Sequence, residues 1–378
     1  MPNEPRRTRI VKRFLPVRAI FALLAGLLAA VPAVAETTVI RFGYPGVGAD
    51  NRPFSYGGIT GAAHAGGFLE RAFANDPDVK LEWTFFRGAG PALNESLAAG
   101  QLDFAIGLGD LPSIVHRANG LKTKWIATEK VRDTIYLAVR PNTGITRIED
   151  LKGRKISQFK GTNLQLAADR VLAAHGLTER NVRFLNLDFG NAIAALTSGD
   201  VDGSFGGVEL FELRRRGVVD IAYTTKGDDP TFGRNAALFV TEAFERAHPD
   251  LVQRVVTAFV RAAHYAADEA NREAVIALWT KSGHPAESFR ADFENEPLAR
   301  RLTPLLDEYV LARYRDQAAR AREYNLIRKD ADIDGWVERK YLDRALVELG
   351  LKSYWPQYDA AGHKVTTGEV ERTRAAAQ

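Results

Sequence analysis

From Val39 onward, short apolar runs rich in β-branched and aromatic residues alternate with stretches of small and helix-favouring residues. Runs at 39–44, 80–86, 103–108 and 124–128 predict strands, and the intervening stretches predict helices. This βαβ order implies an α/β fold with a mostly parallel sheet covered by helices. A run at 134–140 leads into Pro141-Asn-Thr-Gly144, after which a second series at 155–159, 182–187, 203–207 and 219–225 predicts a second lobe. An extended run at 235–241 follows Asp228-Asp-Pro-Thr-Phe-Gly233 and is read as the return crossing to the first lobe. Two crossings form a two-strand hinge, which confines relative motion to opening and closing. Beyond His248 the spacing turns helical, and Leu251, Val255, Val256, Phe259 and Val260 mark a buried stripe. The last residues are polar and aperiodic, which predicts disorder.

The pattern repeats itself. Ser96-Leu-Ala-Ala-Gly100-Gln-Leu-Asp103-Phe-Ala-Ile-Gly107 returns as Ala195-Leu-Thr-Ser-Gly199-Asp-Val-Asp202-Gly-Ser-Phe-Gly206. Each copy reads as a helix closing on a left-handed glycine, Gly100 or Gly199, followed by a strand. Two similar lobes facing each other enclose a cleft, a common site for a small molecule. The resulting organisation is a segment 1–35, a first lobe from 36–138 and 236–358 that includes the C-terminal helices, a second lobe at 139–235, and a tail at 359–378.

Composition changes the picture at the N-terminus. Arg6, Arg7, Arg9, Lys12, Arg13 and Arg18 precede an apolar run at 19–30 and then Ala33-Val-Ala35. This is the pattern of a secretory signal cleaved after Ala35. The apolar run, about 12 residues, is short of the roughly 20 that a spanning helix needs. Without residues 1–35 the chain carries 45 Lys and Arg against 46 Asp and Glu. That balance lacks the positive bias of a nucleic-acid binder. The chain has no cysteine, which excludes disulfides, thiolate metal sites, a cysteine nucleophile and a lipidated cysteine after the signal.

In open α/β sheets, ligands gather where strand ends meet helix N-termini. The segments at such positions contain Gly46, Arg87-Gly88, Gly109-Asp110, Gly161-Thr162-Asn163, and Gly207 with Glu209. In the second lobe, where Phe159-Lys160-Gly161-Thr162-Asn163 opens a helix, Gly161 admits close approach, and Thr162 or Asn163 caps the helix while free N–H groups face an oxyanion. Lys160 and Arg87 have the charge to complement an anion, although a basic residue at a strand end is more often a solvated rim charge. Asp110 and Glu209 each begin a helix after glycine, and their first reading is capping of the helix dipole. Facing the cleft instead, either carboxylate suits an ammonium group. No G-x-G-x-x-G after a strand, P-loop, H-E-x-x-H or G-x-S-x-G is present. The histidines at 64, 116, 175, 248, 264, 284 and 363 lack ligand spacing. Neither a catalytic residue, a metal nor a cofactor is therefore expected.

The order of elements, together with Phe104-Ala-Ile-Gly-Leu-Gly-Asp110-Leu-Pro112, Ile148-Glu-Asp-Leu-Lys-Gly153-Arg-Lys-Ile156 and Lys160-Gly-Thr-Asn163, resembles the solute-binding proteins of ABC importers over about residues 37 to 350. More narrowly it resembles their aliphatic sulfonate, taurine and nitrate branch. The resemblance implies a type II periplasmic binding fold, with two α/β lobes, a two-strand hinge and a helical C-terminal region. It further implies a monomer in the periplasm that binds a small organic anion, above all an aliphatic sulfonate, and delivers it to an inner-membrane permease with its ATPase. Binding contacts would lie in the loops of Gly46, Gly88, Asp110, Thr162, Asn163 and Glu209. Relatives commonly show Trp-x-Pro where this chain reads Phe205-Gly-Gly207-Val-Glu209, so an indole wall is missing here. A long first loop, Val47 to Gly58, brings aromatic and polar groups instead. The alternatives are a ligand other than a sulfonate, a sensory role, or an enzyme on the same fold, since a related branch resembles the pyrimidine-forming proteins of thiamine synthesis.

Overall fold

In the computed structural model, which describes residues 37–365, the ten predicted runs form ten strands shared between two five-stranded sheets. The expected signal segment lies outside the described residues. The first sheet has the order β2-β1-β3-β10-β4, built from β1 (Thr38–Pro45), β2 (Val79–Phe86), β3 (Phe104–Gly109), β4 (Thr123–Asp133) and β10 (Arg234–Thr241). The second has the order β7-β6-β8-β5-β9, built from β5 (Tyr136–Val139), β6 (Lys155–Gln158), β7 (Arg183–Asn186), β8 (Gly203–Gly206) and β9 (Asp220–Thr224). The two orders are topologically the same. In each, four strands run the same way, and the fourth position holds the antiparallel strand, β10 or β5, at a crossing between lobes.

The sequence repeat becomes a repeat of bonds. Gly100 and Gly199 both take positive φ, 69° and 91°, and both are followed by an aspartate that clips its lobe together. Asp103 accepts from the Arg41 N–H at 2.9 Å, as Asp202 does from Lys155 at 2.9 Å. Their carbonyls then accept from the crossing strands, Asp103 from Thr241 and Asp202 from Arg140, each at 2.9 Å. One local motif thus fixes three adjacent strands in each lobe.

Two sequence boundaries are corrected. β5 pairs in the second sheet, so the first crossing lies at residues 134–135 and not at 138/139. β4 runs five residues past its predicted end because it continues to the crossing. The tail expected to be disordered from 359 instead starts with a hairpin, β11 (Gln357–Tyr358) against β12 (Lys364–Val365), while 366–378 fall outside the described residues. The Asp359 carboxylate accepts from the N–H groups of Ala361 and His363, an Asx-type turn that a polar, aperiodic reading overlooks. Tyr358 also stacks against Arg132, whose guanidinium carbon lies 3.9 Å from the Tyr309 ring centre and 4.2 Å from that of Tyr358. This sandwich holds Arg132 at φ 53°, in the left-handed region, beside the hinge.

The principal helices that carry the argument are α1 (Gly58–Ala65), α2 (Ala89–Ala98), α3 (Asp110–Ala118), α4 (Asn163–Ala174), α5 (Phe189–Ser198), α6 (Leu210–Arg215), α7 (Pro249–Ala267), α8 (Ala286–Asp292) and α9 (Glu308–Glu323). α7 buries Val255, Val256, Phe259 and Val260 completely, as the stripe predicts, and Leu251 lies at its edge. Each such side chain contributes roughly 1.5–3 kcal/mol through removal from water. α8 and α9 belong to the C-terminal region yet reach the second lobe. Tyr136 of β5 donates to Asp292 at 2.8 Å, and Arg170 of α4 pairs with Asp316 of α9.

Candidate ligand-binding cleft

The glycine-ended strands bring their loops to one side of both sheets, where a cleft of about 620 Å³ separates the lobes. Gly46 and the first loop form one wall, Asp188 and Phe189 at the start of α5 form another, and His284 with Pro285 closes the mouth. Tyr56 crosses the space between lobes, meeting Phe189 edge-on at 5.8 Å and His284 at 5.6 Å. A smaller inner chamber of about 60 Å³ continues toward the hinge, lined by Tyr44, Gly109, Thr162, Asn163, Phe189 and Arg234. In the place of the missing indole, Gly206 and Gly207 leave room for the Glu209 side chain, whose Oε1 would lie 2.6 Å from a Cβ at Gly206.

The candidate residues divide into groups. Gly46, Arg87 and Glu209 line the outer cleft, and Gly109, Thr162 and Asn163 line the inner chamber. Gly109 is small because Asn163 of the other lobe fills its front: a Cβ there would stand 2.7 Å from Asn163 Nδ2. The same Nδ2 donates to the Asn235 carbonyl on β10 at 3.3 Å. The Thr162 hydroxyl donates to the Phe159 carbonyl at 2.7 Å and accepts from the Leu164 N–H at 3.3 Å, so it serves as an N-cap. Gly161 takes φ 77° and approaches Pro91 of the first lobe. Gly88 caps α2, and Gly207 donates its N–H to Glu209 Oε1 at 2.7 Å. Arg87 is neutralised by Asp188 at 3.0 Å across the cleft rim.

Asp110 stands apart from both cavities. Its carboxylate accepts from the N–H groups of Leu111 and Asn235, each at 2.8 Å, and from Gln317 Nε2 at 2.9 Å. It ties the returning strand and α9 to the start of α3, and burial pushes its pKa up to about 6.

Helix N-termini attract negative groups, and in this cleft the chain supplies several itself. Glu129 sits at the start of α1, where its Oε1 accepts from the Thr60 N–H at 3.0 Å. Gly58 is required beside it, since a Cβ would lie 2.0 Å from that oxygen. Asp188 caps α5 through the Asn191 N–H at 2.8 Å. At the start of α4 the Thr162 hydroxyl takes the Leu164 N–H at 3.3 Å and the Thr162 carbonyl takes the Gln165 N–H at 3.1 Å, so this helix end is capped from within. Behind it, Arg234 donates to Asp133 at 2.7 Å and to the Thr134 carbonyl at 3.3 Å, while its Nε has no partner among the described residues. Burial opposes charge on Asp133, but Lys130, Arg234 and Arg301 together hold its pKa below the usual carboxylate range. Burial pushes the Glu129 carboxyl up and the His284 imidazole down.

Sequence reasoning passed over Glu129, Arg234, Phe189 and His284. Arg234 carried one usable signal, a lone cation opening an otherwise apolar return strand. Tyr56 lies in the long first loop whose aromatic groups were expected at the cleft.

A model of the family described as NMT1/THI5 like matches residues 81–272. An Escherichia coli (strain K12) protein named a putative aliphatic sulfonates-binding protein is 30% identical over 184 residues, covering 47% of this chain and 53% of that relative. The 2'-hydroxybiphenyl-2-sulfinate desulfinase of Rhodococcus erythropolis is 29% identical over 160 residues, 40% of this chain and 41% of the enzyme. The chain thus spans about half the length of the curated relatives it matches. Among solved structures, a putative sulfonate ABC transporter, periplasmic sulfonate-binding protein SsuA from Methylobacillus flagellatus KT superposes with a TM-score of 0.73 at 28% identity, covering 86% of this chain and 99% of that one.

Proposed function

The chain belongs to the NMT1/THI5-like family, and from that premise we propose that it is a periplasmic solute-binding protein of an ABC importer that takes a small organic sulfonate. The observation that carries this reading is the cleft of about 620 Å³ between two lobes of equal topology, with a smaller chamber lined by Thr162, Asn163 and Arg234, whose Nε has no partner among the described residues. A sulfonate oxygen accepts from a guanidinium and a side-chain amide in such a site, and fixed donors replace its water. The hinge lets the lobes close, and the closed form is what a permease with its ATPase would read. The names of the Escherichia coli and Methylobacillus flagellatus relatives support the sulfonate, and the expected signal segment supports export.

A thermal-shift screen of the protein from Glu36 onward against short alkanesulfonates, their amino derivatives, nitrate, aromatic carboxylates and pyrimidines tests the reading. A ligand at a hundred times its Kd stabilises the folded state by about 2.7 kcal/mol, which is a clear rise in Tm. Thr162→Ala with Asn163→Ala should reduce that rise. A rise for another ligand class and none for any sulfonate would overturn the substrate. The desulfinase among the relatives favours one second reading, an enzyme. Loss of the stabilising compound on incubation with the pure protein would establish it.

A further inference from the structure

Between the end of β6 and the start of α4, a short loop carries the second lobe to its contact with the first. Asn163 Nδ2 donates to the Asn235 carbonyl at 3.3 Å and stands in front of Gly109, while Gly161 faces Pro91. The shape of this loop is held from behind by side chains. The N–H of Gly161, at φ 77°, donates to Gln165 Oε1 at 2.7 Å. Gln165 Nε2 donates in turn to Glu179 Oε1 at 2.8 Å, and Glu179 Oε2 accepts from Lys160 Nζ at 2.9 Å. Lys160 directly precedes Gly161, so the bonds return to the loop from which they start and close a ring. The Lys160 N–H is fixed as well, by Asn186 Oδ1 at 3.0 Å.

Neither Gln165 nor Glu179 lines the outer cleft or the inner chamber, and Gln165 is 4% exposed. Both ends of its amide are committed, and only one orientation serves: the oxygen must meet the Gly161 N–H and the NH₂ group must meet the carboxylate. A leucine would fill nearly the same volume at no cost in buried polar atoms, so packing alone does not account for an amide here. Resting on the solute-binding reading above, we propose that Gln165 and Glu179 are positioning residues of the cleft, which hold Gly161 in its left-handed conformation and so present Thr162 and Asn163 to the inner chamber and the opposite lobe. Without the ring the loop takes other shapes, and affinity falls with the fraction of molecules that keep the competent one.

Calorimetry with ethanesulfonate and propane-1-sulfonate, together with amide hydrogen exchange of residues 159–164 in the free protein, tests this. Gln165→Leu should raise the Kd about tenfold, the effect of leaving about a tenth of the molecules competent. It should also speed exchange in the loop while leaving the strands of both sheets unchanged. Because Gln165 acts through the loop and not on the sulfonate, its effect should largely disappear in an Asn163→Ala background, where a direct contact would still multiply the loss. A reversed ring supplies the second variant. Gln165→Glu alone sets two carboxylates against each other and should bind as poorly as Gln165→Leu. Gln165→Glu with Glu179→Gln rebuilds the ring with its polarity exchanged: the new carboxylate accepts from Gly161 and from the new amide, whose oxygen takes Lys160. That double variant should regain most of the parent's affinity and its slow loop exchange. An unchanged Kd in Gln165→Leu, multiplying losses with Asn163→Ala, or a double variant no better than Gln165→Glu would overturn the inference and leave the sulfonate reading standing. If neither sulfonate binds the parent, the sulfonate reading falls and the exchange comparison decides the inference alone, equal loop exchange in parent and Gln165→Leu overturning it.

Discussion

Replacing Arg301 with methionine should lower the unfolding free energy by about 3–5 kcal/mol, the usual effect of breaking a buried ion network from one side. Arg301 is 1% exposed and donates from Nη2 to both Asp133 and Asp292, the latter at 2.8 Å. Its Nη1 reaches the Asp292 carbonyl at 3.4 Å and approaches Glu296 at 3.5 Å, while the guanidinium lies 4.0 Å from the Phe293 ring centre. Methionine retains much of the packing on Phe293 but leaves Asp292 to the neutral Tyr136 hydroxyl, Glu296 to the half-exposed Arg300, and Asp133 to Lys130 and Arg234. The midpoint of urea unfolding, with an unchanged slope, gives the loss directly. Arg300→Ala is the control, because Arg300 pairs with the same Glu296 from a half-exposed position and should cost less than about 1 kcal/mol. Arg301→Met with Asp292→Asn should recover part of the loss, since one uncompensated charge is then gone. Equal losses for Arg300→Ala and Arg301→Met would show that water screens this network.

The buried Asp169 carboxyl should contribute a loss of stability as pH rises from about 4 to 8, and Asp169→Asn should remove that loss. It acts against the opposite slope of His64 and His116, whose pKa burial lowers to about 4. Asp169 lies on α4, 8% exposed, with Gln158 Nε2 at 3.5 Å and Glu179 nearby. Burial, reinforced by the Glu179 charge, pushes its pKa up to about 8. An aspartate in the unfolded chain titrates near 3.9. Between these values the folded protein holds a proton that the unfolded chain has released, so raising the pH favours unfolding. The stabilisation is complete below the unfolded value and is lost as pH approaches the folded one. Asp110 and Asp307, both pushed up to about 6 by burial, add to the slope in the lower half of the window. Asparagine has the shape of the protonated acid and no charge to bury. Asp169→Asn should therefore match the parent near pH 4 and exceed it by roughly 2–4 kcal/mol at pH 8. Urea midpoints at the two ends of the window decide it, and a variant no more stable than its parent at pH 8 refutes the assignment.

The alternation of apolar runs was enough to locate ten strands, because strand period and βα order are local properties of the chain. The repeated Gly-x-x-Asp segment went further, since Asp103 and Asp202 perform the same clip in both lobes. What escaped was set by distance along the chain. Asp110 finds its partners at Asn235 and Gln317, 125 and 207 residues away, and no local pattern announces them. Glu129 lay beyond the predicted end of a strand that runs on to the hinge, so its approach to α1 was invisible. Glu209 looks like a helix cap in sequence because a carboxylate after glycine usually is one. Only the packing of β8 against its neighbours shows that one oxygen bonds the Gly207 N–H while the other is left without a partner.

The exchanged strands also dictate an order of assembly. The second sheet draws all five of its strands from residues 136–224, whereas β10, which ends at Thr241, lies between β3 and β4 in the first. A chain emerging from its N-terminus therefore completes the later-encoded lobe first. Until β10 arrives, the first sheet is two separate pieces whose facing edges, β3 and β4, lack the strand that joins them. Such open edges pair readily with other chains. A polypeptide stopped between 225 and 233 should carry one finished lobe and one adhesive half-sheet, so the interval of greatest aggregation risk during biosynthesis ends with the few residues that make up β10.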